Sequence, residues 1–354
     1  MSLQAIMAEC ARLASGAGAG ALASVAKRRG SLPMSATAKM LVTASGARFG
    51  TVGGGCLEAE ITERAFGVLE RREPAASEHT LNAELAGDYG LTCGGTALMF
   101  IEPVIVDPTL AAIYAECVAV LARGERGMLG TGLDWSRAPA KALLTQSGTL
   151  IGDADASLRT ALDTAIADGD EQRFDDGIFA ERIAGAPRLV VFGGGHVGAR
   201  VAEAAAFAGW RATVVDDRPD FADPSRFPFA ERTVLCDFSD LPATLGLDAE
   251  SFVVVATRGH QHDALIVEQL APLDLRYLGM LGSRRKVALT WRLLTNAGVP
   301  QARLDAIHAP VGLSIGADTP EEIAVSIVAE MIAVRRAGSR RRGGIDAGQA
   351  LRTV

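Results

Sequence analysis

The chain contains no run of about 18 apolar residues, which excludes a membrane-spanning helix. Its first residues also lack the charged-then-apolar pattern of a secretory signal. There is no C-x-x-C pair. The five cysteines, Cys10, Cys56, Cys93, Cys117 and Cys236, are an odd number and widely scattered, which argues against a disulfide framework or a closed zinc site and fits a reducing compartment. An excess of basic charge is missing too, since 35 Lys and Arg face 42 Asp and Glu for a net charge of −7. That balance disfavours nucleic acid as a partner, although local basic patches can still hold phosphates. A soluble, cytoplasmic protein with neither a membrane nor a nucleic-acid partner is expected. The 354 residues suffice for two domains. No internal repeat is visible, and no low-complexity tract beyond the glycine-alanine stretch Gly16 to Gly20.

What the sequence does have is a segment from Leu189 to Asp217 that reads as buried strand, glycine turn, helix, second strand and acid. The pattern G-x-G-x-x-G falls on Gly193, Gly195 and Gly198. Gly193 would permit the tight turn, Gly195 would let a phosphate approach the main chain, and Gly198 would let helix and strand pack closely. Free N–H groups and the positive dipole end at the helix start favour an anion. Asp216 or Asp217, after the strand Ala212 to Val215, is placed to accept hydrogen bonds from ribose hydroxyls.

Hydrophobic periodicity predicts a helix over 4–14, strands over 21–27, 40–44 and 49–52, and a helix over 57–71. A strand over 97–104, a helix from Pro108, strands near 127–133 and 140–146, and a helix near 155–167 follow. The acidic, glycine-punctuated stretch 169–187 holds the expected boundary, giving domains 1–185 and 186–337, with 338–354 as a solvated, disordered tail. The fold class is α/β: an N-terminal α/β domain with a mixed sheet, and a C-terminal Rossmann-like domain with a doubly wound parallel sheet.

Two cysteines differ from the rest in their neighbours. Cys56 follows Gly53-Gly54-Gly55 and precedes a helix, and Cys93 lies in Leu91-Thr92-Cys93-Gly94-Gly95. A helix N-terminus favours the thiolate, the form that binds metal or attacks sulfur. Cys10 and Cys117, on apolar helices, read as packed and inert. Glu58 either supports the first helical turn or contacts a ligand. In the second half, Arg258, His260 and His262 follow a buried strand at the sheet edge where ligands bind in open α/β folds, and His196 inside the fingerprint points to the same edge. Ser283 is placed to cap a helix whose first turn carries Arg284, Arg285 and Lys286, a cluster suited to phosphate or carboxylate.

Taken in order, GGGCLEAEI from Gly53, LTCGG from Leu91, VVFGGGHVG from Val190, VVDDRP from Val214, TRGHQHD from Thr257, GMLGSRRK from Gly279 and APVGLSIGADTPEEIAVSIVAE from Ala309 resemble the xanthine dehydrogenase accessory proteins, the XdhC/CoxI family. The segment Gly30 to Met40 departs from the family's Arg-Pro-Gly loop before Ala-Lys-Met. The resemblance implies a cytoplasmic maturation factor that binds the molybdenum cofactor, supports its sulfuration with a cysteine desulfurase, and passes it to an apo molybdenum hydroxylase. It implies Cys56 and Cys93 as the metal- and sulfur-handling residues, with Gly54, Gly55, Glu58 and Gly94 beside them. The resemblance does not fix where the cofactor's phosphate lies; the glycine fingerprint itself leads to the expectation that the phosphate of molybdopterin, or of its dinucleotide form, lies on Gly193 to Gly198, so that thiols and crevice face a common space. Such scaffolds often form a homodimer. Two other readings remain: an NAD-dependent oxidoreductase with His260 or His262 as general acid or base, and a redox- or nucleotide-sensing module switched by Cys56 and Cys93.

Overall fold

A computed structural model describes residues 1–30, 32, 34–81 and 95–336. Cys93, Gly94 and the expected tail at 338–354 lie outside the described residues. The chain divides into two compact units, Met1–Gly185 and the remainder from Ala186.

The front unit runs α1 (Leu3–Arg12), β1 (Gly20–Gly30), β2 (Lys39–Thr43), β3 (Arg48–Thr51), α2 (Gly55–Arg71), β4 (Ala75–Leu81) and β5 (Gly95–Val104). It then continues α3 (Pro108–Arg123), β6 (Arg126–Gly132), β7 (Lys141–Thr145), β8 (Leu150–Gly152), α4 (Ala156–Asp168), β9 (Gln172–Asp175) and β10 (Ile178–Ala184). The second series repeats the first. Strand order is β3-β2-β1-β5-β4 in one sheet and β8-β7-β6-β10-β9 in the other. Every pairing in both sheets is antiparallel, so the single mixed sheet expected here is replaced by two antiparallel ones.

The internal repeat that the sequence hides is therefore real. Ala38-Lys39-Met40-Leu41-Val42-Thr43 and Ala140-Lys141-Ala142-Leu143-Leu144-Thr145 run into and along the corresponding strands β2 and β7, each followed one residue later by Ser-Gly at a turn in which the Thr hydroxyl meets the Ser hydroxyl at 2.9 Å. Alternation along β1 sends Ala21, Ala23 and Val25 toward α2, and Leu22 and Ala26 toward the other sheet. α1 and α3 close the shared core, which includes Ile6, Cys10, Ile113 and Cys117.

The copies are joined by exchanged charges. Lys39 of the first reaches Glu181 of the second at 2.6 Å, and Lys141 of the second reaches Glu102 of the first at 2.7 Å. Ser24 and Thr131, each directly opposite its copy's lysine in the sheet, accept further hydrogen bonds from the ammonium groups at 2.6 and 2.8 Å.

The second unit is built on β11 (Arg188–Phe192), α5 (His196–Phe207), β12 (Arg211–Asp216), β13 (Arg232–Leu235), β14 (Phe252–Val255), α6 (His260–Leu270), β15 (Tyr277–Met280), α7 (Arg284–Asn296), α8 (Gln301–Leu304) and α9 (Pro320–Arg336). Its five strands are parallel in the order β13-β12-β11-β14-β15. Leu189 and Val191 pack with α5 and α9 on one face, while Val190 and Phe192 pack with α6, α7 and α8 on the other. The strand order reverses between β11 and β14, and this switch point opens the crevice at their carboxyl ends. The α/β class with a doubly wound Rossmann-like domain is as the sequence predicts. No described helix is long and apolar enough to cross a membrane.

Candidate functional site

In the front unit, α2 begins on the turn Gly53-Gly54-Gly55, whose φ values of +124°, +79° and +62° lie where only glycine is comfortable. A Cβ on Gly54 or Gly55 would meet no atom within 4 Å, so the turn is open. Cys56, in the first turn of α2, is exposed. No side chain at Gly54 caps the helix. Glu58 instead reaches back to accept from the Val52 N–H at 3.2 Å, the Gly54 N–H at 3.1 Å and the Thr51 hydroxyl. Burial pushes the Glu58 carboxyl up, but these donors outweigh it and hold the group below its ordinary value. Glu58 thus fixes the turn that presents Cys56. Cys10 and Cys117 are fully buried, and burial raises both thiols, Cys117 to about 12.

The second copy supplies an internal control. At the matching helix start Asp155 caps α4, accepting from the Leu158 N–H at 2.7 Å, and no glycine turn or cysteine is present. Between β9 and β10 stand only Asp176 and Gly177, whereas residues 82–94, with Cys93 and Gly94, separate β4 from β5. Both cysteines chosen from the sequence therefore belong to the first copy, at places where the second has something plainer. Among the described residues, no group of three or more His, Cys, Asp or Glu is arranged to hold a metal ion.

In the second unit the glycines divide the work. A Cβ on Gly193 would lie 2.3 Å from the Ala256 carbonyl oxygen, and one on Gly198 1.9 Å from that of Gly193, so both are needed for close packing. Gly195 has nothing within 4 Å and leaves the start of α5 open. His196 and His260 begin α5 and α6, whose N-termini carry no side-chain cap, and both are exposed. His262 lies within the first turn of α6, its ring edge-on to Phe238 at 5.8 Å. Ser283 caps α7 by accepting from the Lys286 N–H at 3.2 Å, and Arg284 and Arg285 are exposed in that first turn. Lys286 turns back to the Leu281 carbonyl at 3.1 Å and to buried Asp263, which also accepts from the Thr257 hydroxyl at 2.6 Å. Asp216 is buried, its carboxylate accepting from the Gly194 N–H at 2.8 Å and from Arg218 Nε and Nη2 at 2.9 and 3.0 Å. Asp217 pairs in two-pronged fashion with Arg258. Sequence reasoning missed Arg218 and Asp263; an acid in the first turn of a helix following Thr257-x-Gly259 was the available signal for Asp263.

Comparison with known proteins finds one family match in each unit. Residues 189–331 match the XdhC Rossmann domain, and residues 13–81 match the XdhC and CoxI family. A Bacillus subtilis (strain 168) protein, named as a probable subunit of xanthine dehydrogenase, is 29% identical over 317 residues, covering 89% of this chain and 93% of that protein. YqeB of Escherichia coli (strain K12), an uncharacterized protein, is 28% identical over 316 residues, covering 89% of this chain and 43% of YqeB. A crystal structure titled as a xanthine dehydrogenase from Bacillus halodurans superposes with a TM-score of 0.74 at 28% identity, covering 98% of both chains.

Proposed function

The chain belongs to the XdhC and CoxI family, and we propose on that premise that it is a cytoplasmic maturation factor which binds the molybdenum cofactor as cargo, supports its sulfuration and delivers it to an apo xanthine dehydrogenase-type hydroxylase. The observation that carries this reading is the asymmetry of the duplicated front unit. One copy alone has an open, uncapped glycine turn ending in an exposed thiol, and the same copy alone has the insertion bearing Cys93. Thiolates suit a soft metal and its dithiolene sulfurs, by coordination or by sulfur exchange with a desulfurase partner. In the second unit the open main chain at Gly195 and the uncapped start of α5 suit the cofactor's phosphate end. Hydride transfer from NAD is less well supported, because the buried Asp216 carboxylate is already engaged by Gly194 and Arg218. The test is molybdenum and pterin content of the full chain after loading with molybdopterin. Cys56→Ala and Cys93→Ala are each expected to abolish retention with the circular-dichroism spectrum unchanged; retention at the parent level in both would remove the reading.

A further inference from the structure

The two strands flanking β11 end level with the fingerprint. Gly193 donates to the Val215 carbonyl of β12 at 2.7 Å, and the Ala256 N–H, just past β14, donates to the Phe192 carbonyl at 2.7 Å. β12 and β14 are two strand spacings apart, about 9.6 Å. Asp217, immediately after β12, and Arg258, shortly after β14, nevertheless meet, with Arg258 Nη2 at 2.7 Å from Asp217 Oδ2 and Nη1 on the other oxygen. The ion pair therefore bridges the carboxyl end of β11, where the chain turns through Gly193 to Gly195. A Cβ on Gly195 or Gly259 would meet nothing within 4 Å, and α5 and α6, which start after these glycines, carry no side-chain cap. Both side chains retain solvent access, Asp217 at 20% and Arg258 at 41%. The β12 loop is not free to wander, because Asp216 pins it to Gly194 and holds Arg218, whose guanidinium lies 3.5 Å from the Phe221 ring centre.

A carboxylate held by both guanidinium prongs has the geometry that two phosphate oxygens would take. We propose that Asp217 is a built-in stand-in for the ligand's phosphate: it occupies Arg258 across the fingerprint and is displaced when a phosphate-bearing ligand arrives, so that Arg258 is the anion-binding residue and Asp217 its internal competitor. This rests on the reading that the fingerprint takes the cofactor's phosphate end. An ion pair that merely tied two loops together would behave differently, since losing either partner would then loosen the crevice in the same way.

The experiment is calorimetric titration of the full chain with inorganic pyrophosphate at low ionic strength. Asp217→Asn is expected to tighten binding about two- to fivefold, the range an exposed pair can withhold from a competing ligand. Arg258→Gln is expected to weaken it at least about tenfold, the cost of losing a charge-assisted hydrogen bond. Arg258→Lys, which keeps the charge without the fork, falls between parent and Arg258→Gln, and thermal melting of each variant checks that the unit stays folded. Weakening in both Asp217→Asn and Arg258→Gln, or an unchanged Asp217→Asn, overturns the stand-in while leaving the phosphate site in place. Absence of binding in parent and Asp217→Asn alike removes the phosphate reading itself, and the stand-in with it.

Discussion

Replacing Lys141 by Met tests whether the exchanged charges hold the front unit together. Lys141 is completely buried, its ammonium 2.8 and 2.7 Å from the two Glu102 oxygens, 2.8 Å from the Thr131 hydroxyl and 5.2 Å from the Tyr114 ring centre. Met fills similar volume but leaves the Glu102 carboxylate, only 3% exposed, with the Thr131 hydroxyl as its remaining partner. Removing one member of such a buried pair costs about 3–5 kcal/mol. That is a large part of the roughly 5–15 kcal/mol by which a folded domain exceeds its unfolded chain. Replacing both, Lys141→Met with Glu102→Leu, removes the stranded charge and should recover most of the loss. Lys39→Met should cost somewhat less, because the stranded Glu181 is 10% exposed. Urea unfolding followed by the fluorescence of Trp135, buried in the shared core, reports on this unit alone in a Trp210→Phe, Trp291→Phe background. A loss below about 1 kcal/mol for Lys141→Met, the size of an exposed pair, would refute the claim that this charge is sealed from water.

Gly198→Ala is expected to destabilise the second unit by about 1–3 kcal/mol or more, since its methyl would meet the Gly193 carbonyl at 1.9 Å, whereas Gly195→Ala, with open space, should melt like the parent. Differential scanning fluorimetry distinguishes the two, and equal melting temperatures would contradict the packing. The lowered Glu58 carboxyl makes the glycine turn acid-sensitive in a defined sense. Its stabilising contribution is complete above the ordinary value of 4.5 and is lost as pH falls through the lower folded value. The Gly54 amide resonance should therefore hold steady from neutral pH to about 5 and shift only in more acidic solution; a shift centred above 5 would contradict the hydrogen bonding.

Much of this was legible because local rules and tertiary structure agree. The fingerprint, its strand and its helix follow from glycine spacing and apolar runs, and α2 follows from Leu57, Ile61, Ala65 and Val68 at helical spacing. β4 was not legible. Its AASEHTL holds one β-branched residue and takes its conformation from pairing along β5. The hairpin β9–β10 passed for a linker because the acidic stretch around it reads as solvated, whereas Asp168 at the end of α4 and Glu171 just before β9 pair with Arg173 and Arg182 of the hairpin. The duplication was written in A-K-x-L-x-T-x-S-G, but only one strand and turn of each copy keep it. Lys39 and Glu181 stand 142 positions apart, so nothing local announces that they meet. The second unit's Asp217–Arg258 contact was likewise invisible, since each residue reads singly as a ligand contact.

The reciprocal lysines and glutamates give the front unit the logic of a dimer written into one polypeptide. Each half keeps its own strands but borrows its counter-ion from its sister, so neither is electrically complete alone. That mutual dependence anchors the plainer half as a fixed frame and leaves the other at liberty to carry a glycine turn with an exposed thiol without loosening the whole.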